Sequence, residues 1–539
     1  MEPSRDQASP GEGRPLMRSI AGRLRRVPPE PILIGLGLFT LLAAFVAADP
    51  AAGVSFSSGP YGDEAYNVIN ARNLVLFGRW ATDAWDHHFV NLPFSLLEAG
   101  VFQSVGIGMV QARLAMVLCT SLTATALAWG LRRTVGRAAA LFAGLAFATS
   151  GLVLYYGRLA FLEDLVVLGL TLGTLVLARE SRLNLRWGLA AGLCFTIAIG
   201  TKPSAAFSVV GILVALGLMW GWRDRAVRRW LLGTTIVIAV AGLAWAVLFW
   251  LPNQEAIGTD VKIWQPSQFY LTPMALLKSV GSYAIGGNDH LYGMLLGPLL
   301  VLSAAGSAAI VALRRYLSQD EARLAVAAFG WALFGFGILM MVSYRPNRYV
   351  VPLVPALAIL ACIGLHVTAE WLKVRISGTA HAPTTAGPDE ESTAVSPRPL
   401  PLGHDLSLRP ARNARLVVPL LAAVAIAFSA APGLAWYAAW APNATYQLVG
   451  IQNQMAANAP QDETVAGNHT ALFMLTSKSI LVVTGIANTG DQYVSGNRWY
   501  LNPVDAPPPV GVPASAWSAR QVLLCVSWRD TRECLYHVP

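Results

Sequence analysis

The stretch PILIGLGLFTLLAAFVAA, residues 31–48, runs for eighteen positions without a charged side chain. That is close to the roughly 20 apolar residues a membrane-spanning helix needs. A second run, 231–251, has the same character. The 539-residue chain around them is 55% hydrophobic and only 13% charged, with a positive mean hydropathy. So little polar surface cannot coat a soluble globule of this size, and the bilayer becomes the solvent of the fold. Residues 31–48 are too long for the apolar core of a signal peptide and lead into A-A-D-P, a poor cleavage site, so they read as an uncleaved span.

Working outward, residues 1–30 carry Arg14, Arg18, Arg23, Arg25 and Arg26. The net charge of +9 is not pooled in a stripe suited to nucleic acid; basic residues recur between apolar runs. This is the positive-inside pattern, in which short cytoplasmic loops collect Arg and Lys. A cytoplasmic N-terminus puts residues 49–111 outside as a first outer loop. Within it the apolar segment 92–110 either crosses the membrane or lies along the interface, and charge decides between the two.

If it does not cross, spans near 112–131, 138–156, 162–178, 187–200, 205–222, 231–251, 290–312, 322–343, 350–370 and 416–437 put all the Arg clusters on one side. Those clusters are Arg132/Arg133/Arg137, Arg179/Arg182/Arg186, Arg223/Arg225/Arg228/Arg229, Arg314/Arg315 and Lys373/Arg375. If it crosses, every one of them falls outside, against the rule. The expected architecture is therefore an α-helical polytopic membrane protein of about eleven spans. Its parts are a basic cytoplasmic N-terminus (1–30), a helical module (31–375), a cytoplasmic linker rich in Pro, Ser and Thr (376–412), a last span (413–437) and an extracytoplasmic α/β domain (438–539). In that last domain SILVVTG and QVLLCVS read as strands beside a helix near 443–458. No internal repeat is visible.

Of the five cysteines, Cys119, Cys194 and Cys362 fall in spans and read as packing residues. Cys525 and Cys534 flank a polar turn in the external domain; a disulfide and two free thiols both remain open there.

Charged residues outside the cytoplasmic clusters gather at four places, all at outer span ends: Asp63/Glu64 in YGDEAYN, Arg158 with Glu163/Asp164 in GRLAFLEDL, Lys202 in GTKPS, and Arg345/Arg348 in SYRPNRYVVPLVP. Ionisable groups at membrane depth are costly and mark function by default. The helix before Lys202 is short, so its ammonium is expected slightly below the interface, at the depth of a lipid-carrier phosphate. The bland alternative is a lysine snorkelling to ordinary phospholipid. Asp63 and Glu64 also suit a helix N-terminus, where the dipole favours acids, and Arg158 with Glu163 or Asp164 suits a structural ion pair. His87 and His88, with Asp83 and Asp86 near, suggest a metal only weakly, because adjacent histidines point in different directions.

In this order the motifs resemble the GT-C superfamily of polyprenyl-phosphate-dependent glycosyltransferases, in the branch of protein O-mannosyltransferases and lipid A aminoarabinose transferases. The resemblance spans roughly residues 31–370. Asp63-Glu64 matches the family's D-E pair in the first outer loop. GRLAFLED is similar to its S-R-I-A-M-L-D, with Arg158 on the arginine and Glu163 on the acid. AIGTKPS matches G-L-A-x-x-T-K at Lys202, and Arg348, Tyr349, Pro352 and Pro355 match R-Y-x-x-P-x-x-P. Two departures stand out: Glu163 replaces the usual Asp with Asp164 following, which leaves open which acid serves, and H-P-P-L is degraded to FVNLPFS.

The resemblance implies inverting transfer of a sugar from a polyprenyl-phosphate carrier to an acceptor hydroxyl of a protein, lipid or glycan, on the extracytoplasmic face of a bacterial inner membrane. It implies Asp63 as general base, Glu64 orienting, and Lys202 and Arg158 at the carrier phosphate with Arg345 and Arg348 behind them. No nucleotide is required, no Rossmann or P-loop signature is present, and a divalent cation stays open. A transporter or flippase of lipid-linked sugars, or a polymerase of such units, is the competing class; a transporter would place ionisable groups near the midplane between repeated halves.

Overall fold

The computed structural model describes residues 28–51, 62–80, 91–254, 272–274, 296–342, 347–376, 416–467, 469–483, 497–509, 512–529 and 531–539. His87, His88 and Arg345 lie outside the described residues, as does nearly all of the expected linker 376–412.

The helices, in chain order, are α1 (Pro29–Ala43), α2 (Gly62–Phe77), α3 (Leu92–Val105), α4 (Met109–Gly130), α5 (Arg137–Ala148), α6 (Leu162–Leu175), α7 (Leu185–Thr201), α8 (Ala205–Leu216), α9 (Arg225–Trp245), α10 (Gly297–Ala312), α11 (Gln319–Met341), α12 (Val354–Ile376) and α13 (Val417–Trp440). Apart from α2 and α3, each coincides with a span read from the sequence. Five helical stretches among the described residues are long and apolar enough to cross a membrane: Met109–Val135, Arg225–Asn253, Gln319–Met341, Asn347–Ile376 and Val417–Asn443. Shorter apolar helices, α1 and α7 among them, pack beside these.

Helix α3 has 14 residues. At about 1.5 Å per residue it reaches roughly 21 Å, short of the ~30 Å hydrocarbon core. Helices α5, α6 and α8 are as short or shorter, so length alone does not set α3 apart from the spans. Where spans meet, small residues let backbones approach: a Cβ on Gly211 of α8 would come within 2.2 Å of the Gly330 carbonyl of α11, and one on Gly330 within 2.3 Å of the Gly211 carbonyl. This close seam seats α8 and α11 together.

The singled-out residues and the Arg clusters occupy opposite ends of the same helices. Glu163 opens α6 and Arg179 follows it; Lys202 ends α7 and Arg186 stands in its first turn; Arg348 precedes α12 and Lys373 and Arg375 close it. Aromatics gather near the Lys202 end, where Trp436 stacks on Trp440 of α13 and Phe45 meets Tyr437 edge-on. Trp and Tyr prefer the membrane–water boundary, where an apolar ring and a polar handle are both satisfied.

After α13 come α14 (Gln447–Asn458), β1 (Thr464–Gly467), α15 (Thr470–Phe473), β2 (Ile480–Val483), β3 (Trp499–Pro503), α16 (Ala514–Ser518), β4 (Gln521–Trp528) and β5 (Thr531–His537). The sheet order is β2-β1-β3-β5-β4, with β1 parallel to β2 and β3, and β5 antiparallel to β3 and β4. The two runs read as strands supply β2 and β4. Cys525 and Cys534 face each other in the β4–β5 register, with their sulfurs bonded in this structure.

Candidate functional site

The local sequence explains how the site residues reach one end of the bundle. Pro203 separates α7 from α8, so Lys202 caps one helix where the next begins. Asp63 and Glu64 occupy the first turn of α2, and Glu163 and Asp164 the first turn of α6. Acids there complement the helix dipole, but burial of three of the four shows that more than dipole placement is involved.

Four of the singled-out side chains form a continuous ionic chain. Lys202 Nζ lies 2.6 Å from Glu163 Oε1, Arg348 Nε lies 3.7 Å from the same oxygen, and Arg348 Nη2 lies 2.6 Å from Asp63 Oδ2. The Asp63 contact is an ion pair rather than an aligned hydrogen bond. Glu163 is almost fully buried, whereas the Asp63 side chain keeps 34% of its surface. Tyr349 lies beneath the lysine, its ring centroid 3.7 Å from Lys202 Nζ, and Phe161 lies 5.1 Å from the Arg348 guanidinium. Aromatic faces hold cations at such sites without neutralising them. Below Lys202 opens a cavity of about 70 Å³ whose wall includes Val166, Ser208, Gly335, Leu339 and Tyr349. The cavity thus combines a cationic rim with a mainly apolar wall.

The other singled-out residues face elsewhere. Glu64 is fully buried and meets Arg113 bidentately, at 2.8 Å to Nε and 2.7 Å to Nη2, while the Ala160 N–H donates to its Oε1 at 2.7 Å. Arg113 also donates to the Val46 and Ala48 carbonyls, both at 2.9 Å. Arg158 is fully buried as well; it donates to the Ala48 carbonyl at 2.8 Å and the Asp49 carbonyl at 2.9 Å, and lies 4.4 Å from the Trp440 ring centroid. It therefore joins neither Lys202 nor the acids of its own motif. The two arginines grip the chain just after α1, whose carbonyls lack helical partners. Asp164 accepts from Thr120 Oγ1 at 2.8 Å. Glu163, not Asp164, is the acid in the ionic chain.

Several buried charges escaped the reading of the sequence. Arg113 lies within an otherwise apolar span outside any cytoplasmic cluster, which was the available signal. Glu98 on α3 is fully buried and neither carboxylate oxygen has a hydrogen-bond partner among the described residues. Burial holds its carboxyl well above the usual carboxylate range. No group of three or more His, Cys, Asp or Glu suited to a metal occurs among the described residues.

Comparison with known proteins adds the family context. Residues 94–250 match the family model described as dolichyl-phosphate-mannose-protein mannosyltransferase. No curated protein matches the chain. Two crystal structures of ArnT from Cupriavidus metallidurans, one bound to undecaprenyl phosphate and one in the apo state, align with a TM-score of 0.56 at 17% identity, over 95% and 96% of this chain and 98% of theirs. The chain has the ArnT fold. It is an integral membrane protein, and the family match at residues 94–250 points to a glycosyltransferase, as the motif resemblance implied. The archaeal oligosaccharyltransferase AglB from Archaeoglobus fulgidus, solved with an inhibitory peptide and a dolichol-phosphate, aligns at a TM-score of 0.45 and 12% identity, over 87% of this chain and 69% of that one.

Proposed function

We propose that the chain transfers a sugar from a polyprenyl-phosphate carrier to an acceptor hydroxyl, with inversion, on the extracytoplasmic face of the membrane. The observation that carries the reading is the arrangement of Lys202: a partly buried cation at the rim of a mainly apolar cavity, paired with a Glu163 carboxylate that it shares with Arg348, which in turn reaches the partly open Asp63 carboxylate. The family match at residues 94–250 and the fold shared with an ArnT that binds undecaprenyl phosphate support the same donor class.

In the proposed reaction the acceptor oxygen attacks the anomeric carbon as the bond from that carbon to the phosphate oxygen breaks. The acceptor proton passes to Asp63, which needs only to be within hydrogen-bond reach of the hydroxyl. The phosphate leaves with the bonding electron pair, and Lys202 and Arg348 offset its growing charge in a poorly hydrated site. Glu64 and Arg158 act one step back, holding α2 and the end of α1 in register. Arg345 keeps its proposed role as a further cation for the phosphate in this scheme, and Tyr349 supports Lys202. The acceptor is a protein, lipid or glycan hydroxyl.

The test is consumption of a polyprenyl-phosphate-linked sugar by the purified protein in detergent, with an envelope extract as acceptor and no membrane gradient. A transporter would leave the donor intact. Sidedness is tested by reporter fusions: those after residues 60, 110 and 480 should read extracytoplasmic, and those after 135, 226 and 395 cytoplasmic. Opposite signals at 60 and 110 would make 92–110 a span and remove the shared face.

A further inference from the structure

The segment that bears Asp63 is fastened to the C-terminal domain on both sides. On the near side Asp49, just past α1, is 2% exposed. Its Oδ2 accepts from Thr445 Oγ1 at 2.7 Å and the Gln447 N–H at 3.0 Å, and its Oδ1 accepts from the Leu448 N–H at 3.0 Å. The Asp49 N–H in turn donates to the Thr445 carbonyl at 2.7 Å. A carboxylate supplied from 396 to 399 residues away thus caps the N-terminus of α14, satisfying amides that the helix leaves unpaired and meeting the positive end of its dipole. Arg529 of the β4–β5 turn reaches the next residue along, donating to the Pro50 carbonyl.

On the far side Arg72 of α2 has no exposed surface. Its Nε donates to the Leu475 carbonyl at 2.8 Å, and its Nη2 to the Ser477 and Ser479 carbonyls, both at 2.7 Å. These three carbonyls belong to the turn between α15 and β2. A guanidinium presents donors in a fixed fork, so three bonds to one turn define the angle of the helix as well as its distance. Arg72 and Asp63 share α2, nine residues and about 13.5 Å apart at ~1.5 Å per residue.

We infer that Asp49 and Arg72 are positioning residues, through which the C-terminal domain sets the place of the Asp63 carboxylate against the Lys202 and Arg348 cations. The inference rests on the proposed reaction but uses contacts that the reaction does not need. Its physical basis is leverage. A helix of this length moves as a rod, its N-terminal turn is tied by Glu64 to Arg113, and releasing the Arg72 end lets the rod rotate about that tie, which shifts the Arg72 end most but also turns the neighbouring Asp63 side chain away from Arg348. A displacement near 1 Å at a reacting group costs on the order of 10²-fold in rate. The domain appended outside the helical module thereby gains a role in the reaction without touching the sugar.

The experiment compares the full-length protein with Arg72→Lys and with the milder Thr445→Val, which deletes one of the hydrogen bonds to Asp49. Three quantities are read: donor consumption at saturating donor, affinity for polyprenyl phosphate alone, and hydrogen exchange of the peptides covering 62–77, 162–175 and 185–201. Arg72→Lys should lower turnover about ten- to a hundredfold, leave carrier affinity within twofold of wild type, and speed exchange in 62–77 but not in the other two peptides. Thr445→Val should show the same pattern at a few-fold level, and it decides the matter if Arg72→Lys does not fold. Wild-type turnover in a folded variant, whether or not 62–77 exchanges faster, overturns the inference, and so does a loss of carrier affinity equal to the loss of turnover. The reading beneath it fails separately, if Lys202→Ala binds polyprenyl phosphate as wild type does.

Discussion

Arg348 Nη2 lies 2.6 Å from Asp63 Oδ2, so the carboxylate proposed as base is paired with a cation proposed for the leaving phosphate. In the proposed reaction this pairing would couple two events: an arriving phosphate would compete with Asp63 for Arg348, each contact it takes would free the carboxylate to receive a proton, and the base would stay suppressed until the donor is seated.

Asp63→Asn keeps the shape of the side chain but cannot take up a proton, so donor consumption should fall by about 10²- to 10⁴-fold, the range for loss of a positioned base. Carrier affinity should hold or rise slightly, since Arg348 no longer has an anionic competitor. Equilibrium binding of polyprenyl phosphate beside single-turnover rates checks both parts. Wild-type turnover would reduce Asp63 to a helix-end acid.

Glu64 and Asp63 are neighbours in sequence with different duties in the proposed scheme, and stability separates them. Glu64→Gln leaves the Arg113 charge buried beside a neutral amide, which costs about 3–5 kcal/mol where one member of a buried pair is removed. Asp63 is partly open, so Asp63→Asn should shift the unfolding midpoint far less. Thermal unfolding of the two variants in one detergent makes the comparison; equal midpoints would contradict the anchoring role.

How much of this was legible in the sequence follows from what each feature costs. Span positions were readable because a bilayer enforces long apolar runs and sorts arginines by side, and α1 and α4 to α13 fall where those runs lie. Lys202, Glu163, Asp63 and Arg348 were readable as charges in apolar surroundings at one end of the helices. Which of them meet was not. Arg158 stands five residues before Glu163 and six before Asp164, yet the start of α6 turns the acids toward Lys202 and Thr120 while the arginine turns back to the carbonyls after α1. Nothing in local spacing encodes that choice. Arg72 and Asp49 were unreadable for a related reason: most of their partners are backbone groups some 400 residues away, which carry no side-chain signature. The strands β1, β3 and β5 escaped because they are short or interrupted by polar residues such as Glu533, buried in β5.

Glu98 gives a prediction in pH. Burial holds its carboxyl in the folded protein well above the ordinary value of 4.5, so the folded state retains a proton that the unfolded chain releases. As the unfolded state then binds fewer protons, stability falls as pH rises above about 4.5 and goes on falling until the folded carboxyl itself ionises. Glu98→Gln is neutral at every pH and should remove this part of the decline, leaving the variant relatively more stable than wild type at pH 8 than at pH 5. Unfolding midpoints across that range check it; parallel curves for the two proteins would mean that Glu98 is hydrated or paired.

Lys202 is where the functional and the bland readings diverge most. As a phosphate ligand, its ammonium supplies a charge-assisted contact in a poorly hydrated site, and Lys202→Ala removes about 1.5–3 kcal/mol of carrier binding, or roughly ten- to a hundredfold in affinity. Turnover at saturating donor should fall as well, because charge grows on the phosphate as the bond breaks and the lost cation is missed most at that moment. Lys202→Ala also leaves Glu163 without its closest cation, and the double variant Lys202→Ala/Glu163→Gln separates the two effects: it should restore stability but not carrier affinity. Lys202→Arg should recover only part of the affinity, since a planar fork replaces a compact charge over the Tyr349 ring. A lysine that merely reaches for bulk phospholipid predicts wild-type affinity in all three variants, so titrating polyprenyl phosphate against them, with unfolding midpoints recorded on the same samples, decides whether the cationic rim above the apolar cavity is the donor's seat.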